Sequence, residues 1–253
     1  MTIMFWVLFA MALIGLLYLM GQYTFWLPPK SWRLPRILML HQVTAQQPAS
    51  GMNMPPAKFE ALLQLLQAKQ CRTATMSEWL ACVEKGETHK LVALTFDDGF
   101  LDNYTEAFPL LQKYQMKATI FLAPQFATID KMTEQHIRQM HQSGLVEFGA
   151  HTLTHPNLNN IDDTQAKMEI SQSKQWVEQL LGRCDNFAYP FGRFSEKHMQ
   201  MVQEAGFKSA VSTKKRIAAF STDLQYRLPR ISISGLMNPI QLRIALRVGR
   251  YRL

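Results

Sequence analysis

The sequence predicts an α/β fold, a parallel sheet wrapped by helices, preceded by one N-terminal transmembrane helix. Three observations lead there. Short apolar runs alternate with longer amphipathic stretches along most of the chain. Three of those stretches close on Gly144, Gly182 and Gly206, each just ahead of a new apolar run. Finally, Ile3 to Met20 are eighteen residues without a charge, and Gly21 to Leu27 add seven more.

The N-terminal stretch comes first. A helix from Ile3 to Leu27 would be roughly 37 Å long at about 1.5 Å per residue, enough to cross a bilayer with some tilt. A cleaved signal peptide would carry Lys or Arg ahead of the apolar run and small residues after it. Here Met1 and Thr2 have no charged side chain, and the run leaves through Tyr23, Phe25 and Trp26, aromatics suited to a membrane interface. A retained anchor is expected over residues 1–27, with a linker over 28–35. Lys30, Arg33 and Arg36 follow the apolar run, and only the α-amino group precedes it. The positive-inside bias then puts the rest of the chain in the cytoplasm. The odd count of three cysteines, Cys71, Cys82 and Cys184, agrees with a reducing compartment.

The elements then follow in order. Arg36–Val43 reads as a buried strand, and Pro55-Pro56 opens a helix with Phe59, Leu62, Leu63 and Leu66 on one face. Leu91–Phe96 is a second strand, Asp102–Tyr114 a helix and Ala118–Leu122 a third strand. Strands are expected at Val146–His151, Asn186–Pro190 and Phe207–Ser212, and a last one near Tyr226–Ile233. Pro239–Leu253 reads as a closing basic helix, with Arg243 and Arg247 four apart and Arg250 and Arg252 beyond them. Such a helix either leans on anionic lipid headgroups or closes the fold with a solvated arginine face. Either an open sheet or a barrel fits this alternation, and reactive groups belong just past the C-terminal ends of the strands.

Composition removes several classes. Gly and Pro number 12 each, Cys 3, and 47% of residues are hydrophobic, which excludes collagen-like, disulfide-scaffold and disordered chains. The net charge of +8 is concentrated at the ends: seven basic residues, at 30–36 and 243–252, account for all but one unit of it. No basic stripe is interleaved with stacking aromatics, so nucleic acid is not an expected partner.

Four polar groups fall on strand ends. Asp97 and Asp98 follow the strand Leu91–Phe96, and a turn at Gly99 can bring both to one place. Taken alone, Asp-Asp-Gly is more often a turn than a site. His151 and His155 begin at the end of the strand at 146–151, and a spacing of four places both imidazoles on one side of a helical turn, as two ligands of one divalent metal. Ala188 to Gly192 is a tight strand exit whose backbone N–H groups can face a site, and His41 ends the first strand. Asp plus two His is a three-ligand set with positions left open for water, as in catalytic zinc sites, with a second carboxylate beside it. His89, His136, His141 and His198 read as structural or solvated.

Together, Thr95-Phe96-Asp97-Asp98-Gly99, His151-Thr152-Leu153-Thr154-His155 and Tyr189-Pro190-Phe191-Gly192, in this order, resemble the polysaccharide deacetylases with a NodB-homology domain (carbohydrate esterase family 4). The resemblance runs over 36–253 and implies a distorted (β/α) barrel catalytic domain. It implies metal-dependent hydrolysis of N-acetyl groups on N-acetylhexosamine residues of a polysaccharide or lipid-linked glycan. By motif match Asp97 is the general base, and Asp98, His151 and His155 hold a divalent metal, Zn2+ foremost, with Co2+ or Ni2+ as alternatives. Two departures stand out. Ala188 occupies the position where the family usually carries an Arg, and no His follows His198 to supply the usual general acid. Both fit the exopolysaccharide deacetylases with permuted motif order, in which a His at the end of the first strand is the acid; here that is His41. Arg230, in Leu228-Pro229-Arg230-Ile231, is the candidate replacement for the missing Arg, orienting Asp97, and the Phe191 backbone N–H is the candidate oxyanion donor. A deformylase of a lipid-linked amino sugar and a catalytically inactive sugar-binding protein remain as alternatives. The expected location is the bacterial inner membrane, single-pass, with the catalytic domain on the cytoplasmic face.

Overall fold

The computed structural model describes residues 2–252. Helix α1 (Thr2–Gln22) precedes β1 (Arg36–Leu40), the two short strands β2 (Gln42–Val43) and β3 (Asn53–Met54), and α2 (Pro56–Ala68). Next come β4 (Arg72–Ala74), α3 (Met76–Glu84), β5 (Leu91–Phe96), α4 (Phe108–Tyr114), β6 (Ala118–Leu122) and α5 (Glu134–Gln142). The chain continues through β7 (Val146–Ala150), α6 (Asp163–Leu181), β8 (Asn186–Ala188), α7 (Glu196–Glu204), β9 (Ser209–Val211), β10 (Ile231–Ser232) and α8 (Pro239–Val248).

The main sheet is parallel throughout, in the order β10-β1-β5-β6-β7-β8-β9, with β4 beside the first half of β5 and β6 beside the second. The sheet curls until its two ends meet on the segment 228–233. There the Leu228 N–H donates to the Ala210 carbonyl (2.9 Å), the Ser212 N–H to the Leu228 carbonyl (2.8 Å), and the Ile233 N–H to the Met39 carbonyl (2.9 Å). Pro229 has no N–H to give and interrupts this strand, leaving only Ile231–Ser232 of the longer run expected from sequence. The result is a distorted (β/α) barrel in which every residue of β5 is buried.

Packing rather than capping holds α2. The residue before α2, Pro55, makes no side-chain cap, yet Phe59, Leu62, Leu63 and Leu66 are fully buried. Each such burial is worth about 1.5–3 kcal/mol, more than a missing cap costs at about 1 kcal/mol. Close approach is needed at Gly149 of β7, where a Cβ would fall 2.6 Å from the Asn186 carbonyl oxygen and 2.7 Å from the Phe121 ring.

The structure changes several sequence expectations. α1 stops at Gln22, five residues short of Leu27, because the chain after it turns onto the folded domain. Thr24 is buried, its hydroxyl donating to the Arg250 carbonyl (2.8 Å) and its N–H to the Tyr251 carbonyl (3.2 Å). Arg36 is no interfacial charge: it is 1% exposed, donates to the carbonyls of Leu246 (2.8 Å) and Leu34 (2.7 Å), and lies 3.7 Å from the centre of the Trp32 ring. The closing helix ends at Gly249 (φ 96°), so Arg250 and Arg252 sit on a tail rather than on the helix; Leu253, like Met1, lies outside the described residues. The first strand breaks at His41, since the Gln42 N–H leaves the sheet for the Met52 carbonyl (3.0 Å). The helix expected from Asp102 begins as a π-turn, Asn103–Ala107, ahead of Pro109, which cannot donate within a helix.

Candidate active site

The polar strand ends converge at the C-terminal rim of the barrel. Asp97 and Asp98 leave β5 in opposite directions because Asp98 takes a left-handed conformation (φ 76°) followed by Gly99 (φ 81°). Asp97, 2% exposed, turns toward Arg230, which is fully buried. The guanidinium grips both carboxylate oxygens, Nη1 to Oδ1 at 2.6 Å and Nη2 to Oδ2 at 2.7 Å. Its remaining donors reach the Thr95 hydroxyl (3.1 Å) and the Ser212 carbonyl (2.9 Å). Burial alone would raise the Asp97 pKa; the Arg230 charge overrides it and holds the carboxyl well below the ordinary carboxylate range.

Asp98 faces the two histidines. Its Oδ1 lies 3.5 Å from His151 Nε2 and 3.3 Å from His155 Nε2, and one ligand atom from each residue fits within 4.8 Å of the others. The His151 Nδ1 lies 2.7 Å from the Ala188 carbonyl, to which it donates, so Nε2 presents a bare lone pair. Two acceptors, Asp98 Oδ1 and His151 Nε2, therefore face each other with His155 Nε2 beside them, and Asp98 Oδ1 is buried without a hydrogen-bond partner. Such a set is stable only around a cation or a proton. Burial first, and the Asp97 charge second, push the Asp98 pKa up to about 7, while burial lowers those of His151, to about 3, and of His155. Neutral imidazoles and an orphaned carboxylate oxygen are what a divalent ion requires, so the residues present fit a metal.

The two histidines are not on a helical turn. They sit in an irregular loop in which Thr152 (φ 62°) and His155 (φ 64°) adopt left-handed backbone. Such conformations cost of order 1–3 kcal/mol each and persist only where surroundings enforce them. The enforcing group is Glu169 of α6, a buried carboxylate that sequence reasoning missed. It accepts from the N–H groups of Leu153 (2.8 Å) and Thr154 (2.9 Å) and from the Thr154 hydroxyl (2.6 Å). Phe126 stacks on the His155 ring at 4.5 Å, and Phe191 meets it edge-on at 4.7 Å. The Phe191 side chain is otherwise exposed, and its backbone is left-handed (φ 58°).

His41 stands opposite, its Nε2 3.9 Å from Asp97 Oδ2, beyond hydrogen-bond length. Burial lowers its pKa most, with Asp97 acting to raise it and Arg230 to lower it. Asn103, also not anticipated, donates its amide to the His41 carbonyl (2.8 Å), while Asp102 accepts from the Val43 N–H (2.9 Å). The structure thus brings all seven candidate residues to one rim. Of the other histidines, His136 and His198 complete capping boxes, and His89 and His141 are exposed.

The sequence profile of the polysaccharide deacetylase family matches residues 84–210. Among curated proteins, YxkH of Bacillus subtilis (strain 168), a polysaccharide deacetylase by name, is 31% identical over 213 residues, covering 83% of this chain and 74% of its own. The poly-beta-1,6-N-acetyl-D-glucosamine N-deacetylase of Staphylococcus aureus (strain MSSA476) is 25% identical over 197 residues, 70% of this chain and 67% of its own. Among solved structures, the Streptococcus pyogenes deacetylase PplD, in complex with acetate, superposes with a TM-score of 0.76 at 27% identity, covering 81% of this chain and 95% of that one. A barrel with a rim carrying an Asp-His-His triad beside a clamped carboxylate defines a metal-dependent hydrolase. The chain belongs to the polysaccharide deacetylase family.

Proposed function

We propose that this enzyme hydrolyses the N-acetyl group of N-acetylhexosamine residues in a cell-envelope polysaccharide or lipid-linked glycan. The observation that carries the reading is the pair of carboxylates split between two tasks: Asp97 clamped by Arg230, and Asp98 turned to His151 and His155. Asp98, His151 and His155 would hold a divalent ion, Zn2+ foremost; when bound, it polarises the acyl oxygen and lowers the pKa of water to about 7. Asp97 accepts the proton of the attacking water. Arg230 keeps that carboxylate ionised and correctly turned, at some cost in basicity. The Phe191 N–H donates to the oxyanion that develops as the water oxygen bonds the acyl carbon. His41, on the far side of Asp97, gives a proton to the sugar nitrogen as the C–N bond breaks, releasing acetate and a free amine.

The same proposal places residues 1–27 in the bacterial inner membrane as a retained anchor, 28–35 as its connection and 36–253 as the catalytic domain. Among the described residues one helix, Ile3–Gln22, is long and apolar enough to cross a membrane. The hydrogen bonds of Thr24 to the C-terminal tail support retention, since cleavage at the end of α1 would leave a buried segment as a new terminus. Lys30 and Arg33 support a cytoplasmic catalytic domain, and alkaline phosphatase fused to the C-terminus tests it: an active fusion puts the domain outside.

The activity test is direct. Asp97→Asn should retain metal and lose turnover, whereas His151→Ala and His155→Ala should lose both. Near-wild-type turnover by Asp97→Asn overturns the scheme. Measuring acetate against formate release on matched amino-sugar substrates separates deacetylation from deformylation.

A further inference from the structure

Beside the candidate active site lies a cavity of about 450 Å³, whose lining includes Lys214, Lys215, Arg216, Ser232, Arg250 and Arg252. Among the described residues no carboxylate lines it. In the sequence no acidic side chain lies between Glu204 and Asp223, and none follows Asp223. Five cations around one hollow repel each other and would splay apart on an unconstrained surface.

Here they are held together. Gly249, at φ 96°, lets the C-terminal tail lie flush on the loop after β9; a Cβ there would fall 2.8 Å from the Ile217 nitrogen and 3.0 Å from the Arg216 Cα. Thr24, just beyond α1, anchors the tail through its bonds to Arg250 and Tyr251. Within this frame the Arg216 Nε is buried and has no hydrogen-bond partner among the described residues. A guanidinium donor left this way costs free energy that an oxyanion recovers, and Arg is the side chain best shaped to bind one.

The position of the hollow matters as much as its charge. Thr213 and Lys214 of its wall continue from Ser212, and this segment positions Arg230: the Ser212 carbonyl takes the guanidinium Nε–H, and the Lys214 carbonyl takes the Arg230 backbone N–H (3.1 Å). Thr213 fills the space above Gly192, next to Phe191. The cavity therefore stands between the exit of α1 and the rim that carries Asp97.

We propose that this cavity is a binding site for a phosphate ester or diphosphate. Two sources share that chemistry, the headgroup of a membrane phospholipid and a phosphate borne by a sugar or free in solution. The inference does not depend on deacetylation, because its readout is binding.

The test is calorimetric titration of the full chain in neutral detergent with inorganic pyrophosphate, at fixed ionic strength. Saturable binding is expected, about tenfold weaker in Arg216→Gln. A second variant, Lys215→Gln with Arg250→Gln, alters exposed side chains only and should weaken it as well if Arg216→Gln misfolds. No saturable binding, or binding that neither variant weakens, overturns the proposal. Repeating the titration with soluble short-chain phosphatidylglycerol identifies the source: tighter binding of the lipid with the same dependence on Arg216 assigns the headgroup, and tighter binding of pyrophosphate assigns a free or sugar-borne phosphate.

Discussion

Arg230→Met makes the sharpest test of how the site is held together. The substitution removes a fully buried guanidinium that satisfies both oxygens of Asp97, itself 2% exposed. Removing one partner of a buried ion pair costs about 3–5 kcal/mol, because the other is left unpaired away from water. For a domain of this size each kcal/mol moves Tm by about 2–4 °C, so a loss of roughly 10 °C is expected. The pH dependence has a definite sign. In the native protein the Asp97 pKa is depressed, so its contribution is present above the ordinary value of 3.8 and fades only as pH falls through the lower, folded value. Without Arg230, burial dominates and raises that pKa; the contribution is then present below 3.8 and lost as pH rises through the new value. The gap between native and variant should widen from about pH 4 to neutrality. Thermal unfolding of the chelator-treated protein in detergent measures it. The double variant Asp97→Asn with Arg230→Met buries no lone charge and should recover most of the loss. A single variant within about 1 kcal/mol of native, or a double variant no more stable than the single, refutes the reasoning.

Other outcomes follow from neighbouring groups. Glu169→Gln keeps the shape of the carboxylate but replaces acceptors of three hydrogen bonds with an amide; metal affinity should fall by about 10–100-fold with the fold intact, as read by competition with a chromogenic chelator. In the metal-free protein the Asp98 pKa is raised to about 7, so its contribution to stability is present below 3.8 and lost as pH rises through 7. The Tm lost on chelation should therefore grow between about pH 5 and pH 8; a loss independent of pH would count against Asp98 as a ligand. If His41 is the acid, kcat/KM should fall as pH rises through a pKa lying below the ordinary 6.5, since burial lowers it, and His41→Ala should lose that limb. An unchanged profile reassigns the proton donor.

Much of this was legible from the chain, and the failures have physical causes. The core strands at Leu91–Phe96 and Ala118–Leu122 announce themselves because they are buried on both faces and hence continuously apolar. β4 was missed: three residues long, with Arg72 exposed, it shows no such run. α3 was missed although its capping box, Thr75 with Glu78, was there to be read ahead of Trp79, Leu80 and Val83. The metal-facing residues were legible because their chemistry is carried by residue type and short spacing. Glu169 and Asn103 were not, because each acts on a loop distant in sequence, and one charged residue within an amphipathic helix looks solvated until the fold buries it.

Arg36 shows the same limit from the opposite side. Counted from sequence, it is the third positive charge after the apolar helix and an argument for topology. In the structure it is a buried tie, donating to carbonyls of its own segment and of α8, and burial lowers its pKa to about 10. A guanidinium in that position stays charged at neutral pH, but it faces protein carbonyls rather than lipid headgroups. The charge count after α1 therefore rests on Lys30 and Arg33, while Arg36 does a different job. Together with Thr24 it fastens the segment between α1 and the barrel to the C-terminal helix and tail. A segment fastened in this way sets where the barrel stands relative to the end of α1, which a flexible linker would leave free. If α1 is the membrane anchor proposed above, a glycan carried at that membrane surface would meet the Asp97 rim at a fixed height, with the basic hollow between the two.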